Sequence, residues 1–177
     1  PPLIEIGSGI YFRLPLAIGA VDLTPLELTR AYMVFPNRGH FLKEYIIEEV
    51  RIADGTILHK HQPAAPTDAL STDVADIMVE ALRGVALFGT AKSTLSKLEQ
   101  PVAGKTGTTN HYSDAWFCGF TPDITSCVWV GGKDKSVSLG NRETGGRVAA
   151  PAFRDFVTQY YKGRSPVSFN IATEPDK

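Results

Sequence analysis

Cysteine is scarce in this chain, with only Cys118 and Cys127 among 177 residues. Neither belongs to a C-x-x-C pair or to a Cys/His ligand spacing, so no metal site is expected. The two lie on neighbouring apolar runs and are expected as reduced core residues, because cysteine is often buried without pairing. A register that set them face to face would allow a bridge. Long apolar runs are absent as well. No stretch approaches the roughly 20 residues that cross a bilayer. There is no signal peptide at the start and no initiating Met, and the opening PPLIEIGSGIYF reads as if cut from something longer. Excess charge of either sign is also missing: 18 Lys and Arg stand against 19 Asp and Glu. That excludes a bulk nucleic-acid binder or a polybasic membrane surface. What remains, at 43% hydrophobic and 21% charged residues, is an ordinary globular domain or part of a larger one.

The elements can be read in order. In VDLTPLELTRAYMVFPNRG, Thr24 is an N-cap, Pro25 suits the first helical position and Glu27 completes a T-x-x-E capping box. This helix should stop near Phe35, ahead of Pro36 and Gly39. YIIEEVRIADGTILHKH predicts a hairpin turning at Asp54-Gly55. STDVADIMVEALRGVALFG predicts a second helix, capped by Ser71 or Thr72, with Val74, Ile77, Met78, Ala81, Leu82 and Val85 as its core face. Three strands follow, at about 101–109, 114–121 and 125–132, and their short links make them antiparallel neighbours. A loop rich in Gly, Lys and Asp spans about 131–147. A last helix is expected from Pro151, packing Phe153, Phe156, Val157, Tyr160 and Tyr161 on the sheet. Beyond Gly163 the tail, 164–177, is expected to be loosely ordered, leaving 1–163 as the domain.

The chemistry concentrates in VAGKTGTTNHYSDAWFCGF. A phosphate-binding loop would need a glycine five residues before the Gly-Lys pair, where Glu99 stands, so no nucleotide site is expected. Read as a strand, Lys105-Thr106-Gly107-Thr108-Thr109 offers other chemistry. Gly107 leaves room for a ligand backbone. Free N–H groups at a cleft wall can face a developing oxyanion. Thr106 and Thr108 offer hydroxyls to a carboxylate, and Lys105 adds a positive charge.

A lone K-T-G tripeptide recurs by chance; its neighbours give it weight. GKTGTTNHYSDAWFCGFTP followed by VWVGGKD resembles the class A, bifunctional penicillin-binding proteins, whose third motif is K-T-G. LPLAIGAVDLTPLELTRAYMVFPNRG resembles the family's helix after its second motif, EALRGVALFGTA the helix leading to the K-T-G strand, and GGRVAAPAFRDFV the start of its final helix. The resemblance runs over about residues 9–160, in family order. It implies an α+β fold, the C-terminal portion of the penicillin-binding protein and serine β-lactamase-like transpeptidase fold. It implies a peptidoglycan D,D-transpeptidase working through a serine acyl-enzyme and targeted by β-lactams, with no cofactor. Lys105 would lend positive charge and hydrogen-bond the second motif's serine. Thr108 would give a backbone N–H to the oxyanion, and Thr106, Gly107, Thr108 and Thr109 would bind the donor and its carboxylate. The implied partners are the D-Ala-D-Ala stem peptide, β-lactams and the N-terminal part of the same domain, with no nucleic acid. The implied location is the outer face of the bacterial inner membrane, with an anchor and a glycosyltransferase domain upstream.

The other two motifs are not found. No serine has a lysine three residues on; the nearest run is Thr94-Leu95-Ser96-Lys97. Ser-x-Asn occurs only at Ser168-Phe169-Asn170, after K-T-G and so in the wrong order. The nucleophile and its base are therefore expected outside this chain, which is expected to be inactive alone. The rival readings are a D,D-carboxypeptidase or β-lactamase-like hydrolase, and a non-catalytic cell-wall binding module. His59 and His61 are expected as solvated hairpin residues, and His111 borders the K-T-G strand. Asp114 is placed to hold the strand start or the turn. Trp116, Phe117, Phe120 and Trp129 are expected as sheet core. Gly131-Gly132 and Gly145-Gly146 read as turn glycines.

Overall fold

A three-stranded antiparallel sheet, β5 (Ala103–Thr108), β6 (Asp114–Phe120) and β7 (Thr125–Gly131), is the centre of the molecule, with β6 in the middle. The computed structural model describes residue 19, residues 22–134 and residues 136–171. The resemblance within residues 9–18, 20 and 21, and the tail end 172–177, lie outside the described residues. Ahead of the sheet come α1 (Pro25–Tyr32), β1 (His40–Phe41), β2 (Glu49–Arg51), β3 (Ile57–Lys60) and β4 (Thr67–Asp68), then α2 (Thr72–Leu87) and the short α3 (Lys92–Leu95). The last helix, α4, runs Gly145–Tyr160. The α+β expectation and the three antiparallel strands are met.

Local signals set several of these elements. Thr24 caps α1 through the Glu27 N–H, and the Glu27 carboxylate takes the Thr24 N–H at 2.8 Å, completing the capping box. The bonds that this carboxylate accepts from the Thr24 N–H and from the Thr24 hydroxyl hold it below its usual range. β2 and β3 pair antiparallel across Asp54-Gly55, where Gly55 takes φ +91° and Asp54 accepts the Thr56 N–H.

Three expectations about faces and bonds are corrected. The buried stripe of α2 is Ala75, Val79, Leu82 and Ala86, with the Asp76 carboxylate paired to Arg38 at 3.1 Å. Val74 and Ile77 lie outside, Ile77 at 67% exposure. Both sides of this helix are apolar, and the small side chains of Ala75 and Ala86 suit the side that is buried. Next, α4 begins six residues earlier than Pro151, at Gly145, and carries Pro151 inside it. It buries Ala149, Ala150, Phe153, Val157 and Tyr161, while Phe156 stays 47% exposed. Phe153 packs on Phe117 of β6, ring centroids 4.8 Å apart. Finally, Cys118 and Cys127 are not reduced thiols: they face one another in the β6–β7 register and form a disulfide. Replacing both by serine is expected to lower stability by about 2–3 kcal/mol, the loop-closure value for so short a loop. Thermal midpoints of wild type and variant, with and without reductant, check this; identical midpoints would rule out a stabilising bridge.

A second core joins Val79 and Leu82 of α2 to Ala103 and Phe120 of the sheet. Phe169 and Ile171 pack against it, and Gln100 clamps the Val167 backbone through both its amide groups. Val167, Phe169 and Ile171 thus hold contacts to the domain, while most of 164–170 is exposed. At the far turn of β6, the buried Thr121 hydroxyl lies 2.8 Å from the Tyr161 hydroxyl, which donates to Asp123. Burial pushes the Tyr161 phenol up to about 12.

Candidate active site

The position of β5 gives its polar atoms their direction. It is an edge strand, bonded only to β6 among the described residues. Cys118 and Cys127 have Cα atoms 4.1 Å apart, the close spacing of a non-hydrogen-bonded pair. In an antiparallel sheet backbone bonds alternate sides residue by residue, so Cys118 and Trp116 turn theirs to β5. Their partners there are Lys105 and Gly107. Thr109 continues the pattern, its N–H bonding the Asp114 carbonyl at 3.1 Å. Thr106 and Thr108 lie between these positions, so their N–H and C=O groups point off the free edge. The Lys105 ammonium reaches round to that edge and donates to the Thr106 carbonyl at 2.9 Å.

Side chains alternate in the same way. Thr106 and Thr108 share the face covered by α4. Lys105 stands on the other face in one row with Cys118 and Cys127; Gly107, Trp116 and Trp129 form the next row. At the Gly107–Trp116 pair, the α4 face of the sheet is therefore bare backbone. The start of α4 comes down onto it. A Cβ on Gly145 would stand 2.1 Å from the Trp116 carbonyl oxygen and 2.5 Å from that of Gly107. From this position the Gly145 N–H donates to the Thr108 hydroxyl at 3.1 Å, leaving that hydroxyl's own proton to offer elsewhere. Thr90, after α2, lies 2.6 Å hydroxyl to hydroxyl from Thr106. Thr94 of α3 bonds the Gly146 carbonyl at 3.0 Å.

The edge strand and its exit thus bring together Lys105, Thr108 and Thr109, which are exposed, with Thr106 and Gly107, which are half-buried. The arrangement can present outward N–H groups, two hydroxyls and one ammonium to an anionic ligand with a reactive carbonyl. Gly107 also has a packing reason, since a Cβ there would stand 3.1 Å from that of Trp116. His111 lies in the next connection, exposed, at φ +62°. The other candidates lie elsewhere. His59 is exposed on β3, and His61 stacks on Tyr45 with centroids 3.9 Å apart. Phe169 of the Ser-x-Asn run packs against the second core. Phe117 and Phe120 are fully buried, whereas Trp129 is 42% exposed. Thr90 escapes sequence reasoning, and Gly145 and Gly146, expected as turn glycines, instead open α4. The signal for the two glycines is the small-residue row Gly145, Gly146, Ala149 and Ala150, which marks a close-packing helix face more than a turn.

Residues 12–158 match the family model of the penicillin binding protein transpeptidase domain, and the chain belongs to that family. Its curated relatives include penicillin-binding proteins 1A, in agreement with the class A resemblance. That of Aquifex aeolicus is 43% identical over 149 residues, covering 82% of this chain and 20% of that protein. The crystal structure of penicillin-binding protein 1A from Haemophilus influenzae superposes with a TM-score of 0.82 at 25% identity, covering 91% of this chain and 29% of that one. The PonA1 protein of Mycobacterium tuberculosis, solved in complex with penicillin V, shares the fold with a TM-score of 0.78 at 22% identity, over 90% of this chain and 44% of that one. The chain spans about one fifth of the length of the curated relatives it matches, 20% for the proteins of A. aeolicus and Neisseria gonorrhoeae alike. Among the described residues no helix is long and apolar enough to cross a membrane.

Proposed function

We propose that this chain supplies the donor-gripping wall of a peptidoglycan D,D-transpeptidase, working with a serine that is not among these 177 residues. The observation that carries the reading is the outward direction of the Thr106 and Thr108 backbone groups beside the Lys105 ammonium. In the reaction, the serine oxygen adds to the penultimate D-alanine carbonyl, and the terminal D-alanine leaves with a proton. An acceptor amine then adds to the acyl-serine carbonyl and releases the serine. In each addition the carbonyl oxygen gains negative charge, and the Thr108 N–H is directed to stabilise it. The Thr106 and Thr108 hydroxyls grip the donor's terminal carboxylate, with Gly107 and Thr109 shaping the strand around it. Lys105 holds the local potential positive and bonds the second motif's serine. A β-lactam has the same pairing of a carboxylate with a strained carbonyl and is attacked in the same way. The working site then lies on the outer side of the inner membrane, and its partner is the remainder of the transpeptidase domain.

Intact mass spectrometry tests this. The full-length protein incubated with a penicillin is expected to gain the mass of one antibiotic, mapped to a serine. The 177-residue chain alone is expected to gain nothing, because a serine acyl-enzyme needs an activated nucleophile. An unlabelled full-length protein, or a labelled chain, would overturn the assignment.

A further inference from the structure

The connection leaving the K-T-G strand is held by one carboxylate. Asp114 opens β6, and its two oxygens collect donors from three directions. The Trp129 indole N–H of β7 donates to Oδ1 at 2.9 Å. The Thr109 and Ser113 hydroxyls each lie 3.1 Å from Oδ2 as donors. The Asp114 N–H donates back to the Thr109 hydroxyl at 2.9 Å. The turn between them needs such a hold, because His111 and Tyr112 are consecutive non-glycine residues at φ +62° and +56°. Left-handed backbone at residues with a Cβ persists only where the surroundings over-determine it. The space for the indole is also provided. Gly131 pairs with Asp114, and a Cβ there would stand 2.5 Å from the Trp129 ring and 2.9 Å from Asp114 Oδ1.

We propose that Asp114 is a positioning residue for acyl transfer: its carboxylate ties the end of the K-T-G strand to the third strand and so aims the Thr108 N–H at the reacting carbonyl. The proposal rests on the function proposed above. Thr109 follows Thr108 directly and keeps its backbone bonds to Asp114, so losing the carboxylate loosens the strand end and lets the last outward N–H shift rather than freeing it. Misplacement of this kind acts on the chemical step more than on capture of the antibiotic, because capture is shared among the hydroxyls and Lys105.

The test is acylation of the full-length protein by a chromogenic β-lactam, resolved into a saturation constant and a limiting acylation rate. Lys105→Ala runs beside it as the control for the parent reading, and thermal unfolding reports whether each variant folds. Asp114→Ala is expected to lower the limiting rate at least about tenfold with the saturation constant within about twofold, as small displacements of a catalytic group do. Asp114→Asn is expected to recover most of that loss, since an amide oxygen can take the indole N–H and the two hydroxyls can turn to accept from the amide. Trp129→Phe keeps the ring, removes the N–H, and is expected to lower the same rate by a smaller factor; it carries the test if Asp114→Ala does not fold. If Lys105→Ala loses its rate while folded Asp114→Ala, or Trp129→Phe in its place, keeps it, the positioning role is overturned and the parent reading stands. An Asn variant as slow as Ala would make charge, not geometry, the cause and overturn it too. If Lys105→Ala is unaffected, the parent reading falls and this inference with it.

Discussion

Replacing Lys105 by alanine in the full-length protein is expected to slow acylation by a β-lactam about a hundredfold or more, the scale on which transition-state electrostatics act when a single donor is removed. Stability should hardly change. Lys105 is exposed, and its ammonium bonds the Thr106 carbonyl at the sheet edge. Water can replace that bond, so its net worth to folding is about 1 kcal/mol or less. The combination of a large kinetic loss with an intact thermal midpoint separates a functional lysine from a structural one. Lys105→Arg should recover only part of the rate, because a planar guanidinium cannot occupy the place of a compact ammonium that bends back to its own strand. Stopped-flow acylation and a melting curve on the same preparations measure both quantities. An alanine variant that acylates within about threefold of wild type would remove Lys105 from the site, since an electrostatic role predicts far more.

Gly145→Ala is expected to be strongly damaging to the packing of α4 on the K-T-G strand. The added Cβ would meet the Trp116 and Gly107 carbonyl oxygens at 2.1 and 2.5 Å and the Gly107 nitrogen at 3.1 Å. All three are backbone atoms, so no side chain can rotate aside. Either α4 lifts off the sheet or the K-T-G strand bends, at a cost of about 3 kcal/mol, the upper part of the range for overpacking. Lifting α4 also breaks the Gly145 bond to the Thr108 hydroxyl, so acylation should fall along with stability. Gly84→Ala is the matched control. It lies inside α2 with nothing within 4 Å of a new Cβ, and helix propensity predicts a gain of about 0.5–1 kcal/mol. Urea unfolding of both variants checks the pair. Equal midpoints for wild type and Gly145→Ala would show that the helix start does not rest on the strand as described.

The legibility of this molecule follows the range of the interactions involved. The T-x-x-E box, the Asp54-Gly55 turn and the three strands are encoded within a few residues, and each is found where the sequence places it. The K-T-G strand carries its own chemistry in order, so Lys105 and the threonines stand out in the bare sequence. Faces are harder. α2 has apolar residues on both sides, and periodicity alone cannot say that Ala75, Val79, Leu82 and Ala86 form the inner one. Pro151 suggests a helix start, yet the glycines ahead of it already sit in helix, because their lack of side chains lets α4 approach the sheet.

By itself, then, the sequence determined the strand proposed to grip the acyl donor, the family it resembles and the order of the elements. Only the tertiary structure decided what stands against that strand. Thr90 and Gly145 reach it from 16 and 37 residues away, and Trp129 meets Asp114 across 15. The same superposition of strands turned two expected thiols into a cross-strand bridge. The physical reason is common to all of these. Backbone geometry repeats every few residues and leaves its mark locally, whereas a contact between distant residues depends on how whole elements stack, which no local window of the chain contains.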